Sequence, residues 1–388
     1  MSGASFAMKI ITAALGLIVC VAIAQGQEPE LRIASDDFRE VASITVREGH
    51  VYVADKAARA VFVFDERGAP VRVIGREGRG PMEFRRPDRL GWLGDTLWVR
   101  DTANQRFTLI DSGSEVGTVP LSYQIDPSHE HLPPVGWGEW LLTGGALVIA
   151  PIAPWNILAQ GHVISLPHIY RHRDDSVNRI LFERDVRHEV YGFRPQGAAV
   201  TEGMFAYHPF ASGDVVTVPS DGSTIYIVNR GEYRVTRMSP SGRVLWSRRY
   251  PFDRRPADTA IEEFASFMVD LMGDAQKRGF SSPVAFRRAV EDGLTVPEHL
   301  PPVSTALAAP DGSLWVRREA AGSSIYFASP SQVPGQVEWD LLDADGHIVG
   351  LTRLPIRFEA LHAEGDAIWG VLRDEMGVPT VVKYRLNR

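Results

Sequence analysis

The chain has 388 residues, 44% hydrophobic and 23% charged, close to the ordinary globular mix, which excludes wholesale disorder and a polytopic membrane protein. A formal charge of −7 offers no basic field to a phosphate backbone, so nucleic acid is not expected as a partner. Glycine (35) and proline (26) both exceed their usual shares of about 7% and about 5%, the mark of a turn-rich chain.

Lys9 precedes an apolar run from Ile10 to Ala24, and Ala22-Ile23-Ala24 supplies the small-x-small pattern that signal peptidase accepts. Residues 1–24 are read as a signal peptide, and the protein as exported to the periplasm or the cell exterior. A span would need about 20 predominantly apolar residues, whereas this run gives way at once to Gln25, Gly26, Gln27 and Glu28. A retained anchor is the alternative. The single cysteine, Cys20, lies inside the run, and Val19 stands where a lipid-modified signal carries a small residue. Cleavage after Ala24 would leave no cysteine, and so no disulfide, thiolate nucleophile or Cys-ligated zinc.

The remainder, 25–388, reads as one repeat-built domain. Five segments repeat a turn with Gly or Asp, a short strand bearing an aromatic residue, a polar break and a second strand. In chain order the aromatic markers are Tyr52, Trp98, Tyr226, Trp315 and Trp369. One unit is about 45–55 residues, the size of a four-stranded propeller blade. The long interval after Trp98 leaves room for a divergent unit around Ala146-Leu147-Val148-Ile149-Ala150. The interval after Tyr226 contains an insertion over 256–299, where the apolar period changes from 2 to 3.6. There Asp258 precedes Ile261, Phe264, Ala265, Met268, Leu271 and Met272 on one helical face, and Ser282-Pro283 opens a second helix with Phe286, Ala289 and Val290 inward.

The last unit is one strand short, and Leu31-Arg32-Ile33-Ala34 precedes the first. The predicted fold is therefore all-β: a six-bladed β-propeller closed by an N-terminal strand, with a short α-helical insertion. Closure leaves only short, protected sheet edges. Tandem β-sandwiches would not repeat the same order of aromatic, break, strand and turn, and a membrane barrel would need longer strands than these.

The run Gly75-Arg76-Glu77-Gly78-Arg79-Gly80-Pro81-Met82-Glu83-Phe84, then Pro87, then Leu97-Trp98-Val99-Arg100-Asp101-Thr102-Ala103-Asn104-Gln105-Arg106-Phe107, resembles the NHL-repeat family, with Met82 in place of its usual glycine. As a whole the chain resembles exported bacterial six-bladed propellers of the NHL-like or TolB-like type. The resemblance implies that Asp101 and Asn104 are turn-fixing acceptors. It implies fold more firmly than function, because propellers host binding, scaffolding and catalysis alike.

The glycine-rich run lacks the Gly-Lys-Ser/Thr and the following helix of a phosphate loop, so it is read as a turn between blades. Ser128-His129-Glu130-His131 is locally dense but forms no compact metal motif, and no metal site is assigned. Between blades two and four the chain is rich in aromatic residues with interspersed His and Arg. Trp155, His168, Arg171, Tyr207 and His208 are the candidate ligand-binding residues, since rigid rings give contact area at low entropic cost. No nucleophile elbow or comparable catalytic signature appears. These readings point to a non-catalytic binding or scaffold protein, recognising a protein, peptide or glycan through loops on one face and needing no cofactor. The alternative is a lactonase-like hydrolase holding calcium at the propeller axis, where about six to eight oxygen ligands would gather from several blades.

Overall fold

The computed structural model describes residues 27–124, 135–151, 158, 165–172, 178–187, 189–193, 204–272, 279–294, 298–319 and 335–386. Short strands rich in Val, Ile and aromatic residues pair into six antiparallel blade sheets, beside two smaller two-stranded sheets. Blade 1 begins with Val41–Arg47, blade 2 with Pro87–Leu93, blade 4 with Asp214–Thr217, blade 5 with Val303–Ala308 and blade 6 with Glu359–Glu364, each followed outward by its later strands. Blade 3 is the divergent unit. Its inner strand, Val135–Leu141, also pairs with the extra strand Ser122–Gln124, making this sheet five-stranded. The inner strands of blades 1, 2 and 3 meet in turn, as do those of blades 4, 5, 6 and 1, and blade 3 reaches blade 4 through its outer strand, Asn178–Asp185, so the ring closes.

The closure is the predicted clasp. Leu31, Arg32 and Ile33 pair with Lys383, Val382 and Val381, adding the N-terminal strand to the outer edge of blade 6. Ile33 is buried there with Val41 and Ile44 of blade 1 and Trp369 and Val381 of blade 6.

The core is divided among the six interfaces between neighbouring blades, each of which has its own apolar cluster. This explains the recurring aromatic in the second strand. Trp98, Tyr226, Trp315 and Trp369 are all buried, each filling the space against a neighbour. Two also donate to that neighbour's first turn: Trp315 Nε1 to the Gly365 carbonyl at 2.9 Å, and the Tyr226 hydroxyl to the Gly312 carbonyl.

The insertion predicted over 256–299 is bounded by an isolated bridge between Pro256 and His299. It contains helices at Asp258–Met272 and Pro283–Gly293, the latter capped by Ser282, whose Oγ accepts the Ala285 amide at 3.1 Å. These helices pack on a hairpin, Val190–Phe193 with Met204–Tyr207, that leaves the ring between blades 3 and 4. Tyr191, Phe193, Phe210, Phe264, Phe280 and Phe286 form the apolar centre of this side module.

Chain direction determines which face each connection occupies. Inner strands all start on one face, so the links between blades and between second and third strands belong to that face, while the remaining turns belong to the other. The hairpin and both helices lie in links between blades, and the long connections from Pro151 to Ser165 and from Arg318 to Gln336 join second strands to third. Every long addition to the ring therefore leaves from one elaborated face. The opposite face carries short turns such as Asp65–Ala69 and Asp343–His347, whose Asp Oδ1 atoms accept two backbone amides each.

Candidate functional site at the propeller axis

The inner strands surround an axial cavity of about 270 Å³, lined by residues of all six blades, including Ser43, Arg89, Trp140, Thr217, Leu307 and His362. Its far end is narrowed by the first turn of blade 4, whose Ser220 carbonyl crosses to blade 2 and accepts the Trp92 amide at 2.6 Å. A Cβ on Gly91 would stand 2.6 Å from that carbonyl and 2.2 Å from Trp98 Cζ2, so glycine is what allows the crossing. The other end opens toward the elaborated face.

Five of the six inner strands carry a β-bulge: between Val41 and Ser43, Pro87 and Arg89, Gly138 and Trp140, Val303 and Thr305, and Ala360 and His362. A bulge adds an unpaired residue and re-aims its side chain. In blades 2 and 3 the extra residues are Asp88, which lines the cavity, and Glu139, and one arginine bridges their carboxylates. Arg100 holds both oxygens of Asp88 through Nε and Nη2 at 2.9 Å, and its Nη1 donates to Glu139 Oε2 at 3.0 Å. Arg89 Nη1 donates to the same Oε2 at 3.2 Å and to the Glu139 carbonyl at 3.0 Å, with its guanidinium 4.8 Å from the Trp140 ring centre.

Burial sets the protonation of this quartet. It lowers Arg89 to about 10, helped by the neighbouring charge of Arg100. It also opposes charge on Arg100 and Glu139, but their mutual attraction and the contacts of Asp88 and Arg89 prevail, holding Arg100 above and Glu139 below the ordinary value. Arg89, Arg100 and Glu139 are therefore charged at neutral pH, and the quartet sets two guanidinium groups against two carboxyl groups. A calcium site needs about six to eight oxygens. The carboxylates brought together here already accept guanidinium N–H groups, and among the described residues no group of three or more His, Asp, Glu or Cys is placed to hold a metal ion. This donor set does not fit calcium.

The sequence-predicted ligand residues are dispersed. His168 is buried in blade 3, stacked on Phe182 at 4.6 Å, and burial, with the nearby charge of Arg184, lowers it to about 4. Arg171, at the end of the same strand, lies 4.6 Å from the Tyr123 ring centre. His208 belongs to the side module, where Nδ1 accepts the Phe210 amide at 3.0 Å and the ring packs edge-on to Tyr191. Tyr207 pairs with Val190 in the hairpin strand, and Trp155 lies outside the described residues, as do Ser128, His129, Glu130 and His131. Of the aromatic residues in this stretch, Tyr191, Phe193 and Phe210 lie in the module's interior, and Trp140 lines the axial cavity. The axial quartet has no local sequence signal, because Asp88-Arg89, Arg100 and Glu139 come together only through the packing of blade 2 on blade 3 and two bulges.

The glycine-rich run is a turn between blades. Arg76–Glu77 pairs in parallel with Glu83–Phe84, and Glu83 Oε2 accepts the Gly80 amide at 2.8 Å, so a carboxylate of the chain itself occupies the place an anion would take. Asp101 accepts the amides of Arg85, Arg86, Ala103 and Asn104 at 2.8–3.2 Å, the turn-fixing role its resemblance implied. Asp55 does the same in blade 1.

No curated protein matches the chain. Solved structures similar to it include a Bacteroides fragilis protein described as a candidate exported protein (11% identity over 92% of this chain and 94% of that one, TM-score 0.47). Others are a DUF4221 family member from Bacteroides vulgatus (9%, 93% and 98%, 0.47) and the calcium-binding protein regucalcin from Agrobacterium tumefaciens (11%, 93% and 95%, 0.41). A family model described as a 6-bladed beta-propeller, DUF5128, matches residues 35–90, which span blade 1 and the start of blade 2.

Proposed function

We propose that this chain is an exported, non-catalytic binding propeller of the NHL-like or TolB-like kind, recognising a protein, peptide or glycan through its elaborated face. One observation carries the reading: the hairpin, both helices and the longest connections all depart from a single face, while the other has short, self-capped turns. Loops held on a rigid scaffold are where recognition concentrates. Among the described residues no helix is long and apolar enough to cross a membrane. The quartet supports binding over calcium-dependent hydrolysis, because its carboxylates are engaged by arginine.

Glycan and peptide arrays test the proposal. Arg254, Arg255 and Arg288 are exposed on or beside the helical insertion, whereas Glu66 and Asp345 lie on the opposite face. Reversing the three arginines to Glu is expected to lower array binding at least tenfold, and reversing Glu66 and Asp345 to Arg to leave it unchanged. Equal loss from both faces, or none from either, would contradict the proposal.

A further inference from the structure

The wall of the axial cavity is largely polar, and several of its groups have hydrogen-bonding capacity to spare. Arg89 gives Nη1 to Glu139, while Nε and Nη2 make no hydrogen bond among the described residues. Unlike the sealed Nε of Arg184, both atoms keep contact with open space, on a side chain that is 31% exposed and lines the cavity. That free edge carries two roughly parallel N–H groups, the geometry that receives a carboxylate in bidentate fashion. The Trp140 ring and Glu139 fix its orientation, so little conformational freedom remains to be lost on binding.

Two further groups on the wall are uncommitted. Thr305 has a hydroxyl with no partner among the described residues. His362 is 5% exposed, yet neither ring nitrogen is hydrogen-bonded or sealed, so the surface it keeps faces the cavity it lines. Burial lowers it to about 4, so at pH 7 the ring is neutral and offers one donor and one acceptor, which suits a hydroxyl group. Strand register sets the depth of each group. Arg89 and Thr305 pair with Arg100 and Arg317, two residues beyond the aromatic markers Trp98 and Trp315, whereas His362 pairs with the marker Trp369 itself. His362 therefore stands two residues farther from the elaborated face, about 6–7 Å along the axis. The carboxylate on this wall, Asp88, is held at both oxygens by Arg100, so a ligand meets one free guanidinium edge above and hydroxyl-binding groups beside and below it.

We infer that the axial cavity binds a short hydroxylated carboxylic acid, its carboxylate on the Nε–Nη2 edge of Arg89 and its hydroxyl groups on Thr305 and His362. The cavity, about 270 Å³, falls below the roughly 300–1,000 Å³ of sites for drug-sized ligands, and its depth between Arg89 and His362 matches a chain of few carbons. With a neutral imidazole and one free guanidinium edge, the site is matched to a single negative charge. This goes beyond the partner surface proposed above, uses different residues, and either can fail alone.

The test is calorimetric titration of the full chain with each enantiomer of glycerate, with glycerol, which lacks the carboxylate, and with propionate, which lacks the hydroxyls. Saturable binding of one glycerate enantiomer at one site, with glycerol and propionate each at least tenfold weaker, is the expected result. Arg89→Met should abolish glycerate binding. Because Arg89 also holds Glu139, Thr305→Val serves as a second variant, which removes only a hydroxyl that bonds to nothing in the chain. It should weaken glycerate binding at least fivefold while preserving the melting temperature. Absence of glycerate binding, equal affinity for glycerol or propionate, or undiminished binding in either variant would overturn the inference.

Discussion

Arg100 of blade 2 joins two carboxylates from different blades, holding both oxygens of Asp88 at 2.9 Å and reaching Glu139 of blade 3 at 3.0 Å. Its side chain is only 10% exposed, so removing it takes the guanidinium fork from the largely buried Asp88 and leaves Glu139 with Arg89 alone. Arg100→Met is expected to destabilise the protein by about 3–5 kcal/mol. Adding Glu139→Gln and Asp88→Asn should recover a large part of that loss, which urea unfolding of the single and triple variants measures.

Asp101 is wholly buried and ties the approach to blade 2 to the turn after its second strand through four backbone amides. Asp101→Ala leaves those donors without their acceptor and should cost about 2–4 kcal/mol. Asp101→Asn retains part of the pattern and should cost less. The same pair of substitutions at Asp55 should rank alike, since its four amide contacts repeat the arrangement.

The clasp predicts a different signature. Ile33 is 1% exposed between blades 6 and 1, and Ile33→Ala should cost about 2–5 kcal/mol. Removing residues 27–33 would expose the outer edge of the strand Pro379–Arg385 as well. Hydrogen exchange should then accelerate first at Val381 and Lys383, and the chain should gain a tendency to self-associate through the bare edge.

Two histidines set the response to acid. Burial lowers both His168 and His362 to about 4 from an ordinary value of 6.5, with Arg184 adding to the effect at His168. Below pH 6.5 the unfolded chain takes up these protons while the folded one does not, so stability is lost as pH falls from about 6.5 to about 4. Urea midpoints across that window should decline for the native chain, and less steeply for His168→Gln with His362→Gln. Parallel declines would contradict this assignment.

The ring was legible because its causes are local. Strand propensity, Asp-Gly turns and one aromatic per second strand recur within each unit, and even the missing strand at Leu31–Ile33 could be inferred from the short last unit. The side module was half legible. Its helices follow from a 3.6-residue period at Phe264, Ala265, Met268, Phe286 and Val290, but their partner, the hairpin carrying Tyr191 and Phe193, lies far away in sequence. The axial site was not legible. Asp88 and Glu139 reach one arginine only because a bulge shifts each inner strand by one residue, and nothing in either segment announces a bulge. Aromatic density marks His208 and its neighbours, whose rings pack edge-on in the buried interior of the side module.

The most direct test of binding over calcium-dependent hydrolysis is the metal content of the chain purified without chelator, with melting temperatures recorded before and after EDTA and again with calcium restored. Carboxylates engaged by Arg89 and Arg100 predict no stoichiometric calcium and a melt unmoved by chelation. One calcium per chain, with a melting temperature that falls in EDTA and recovers with calcium, would contradict the reading and place hydrolysis at the axis.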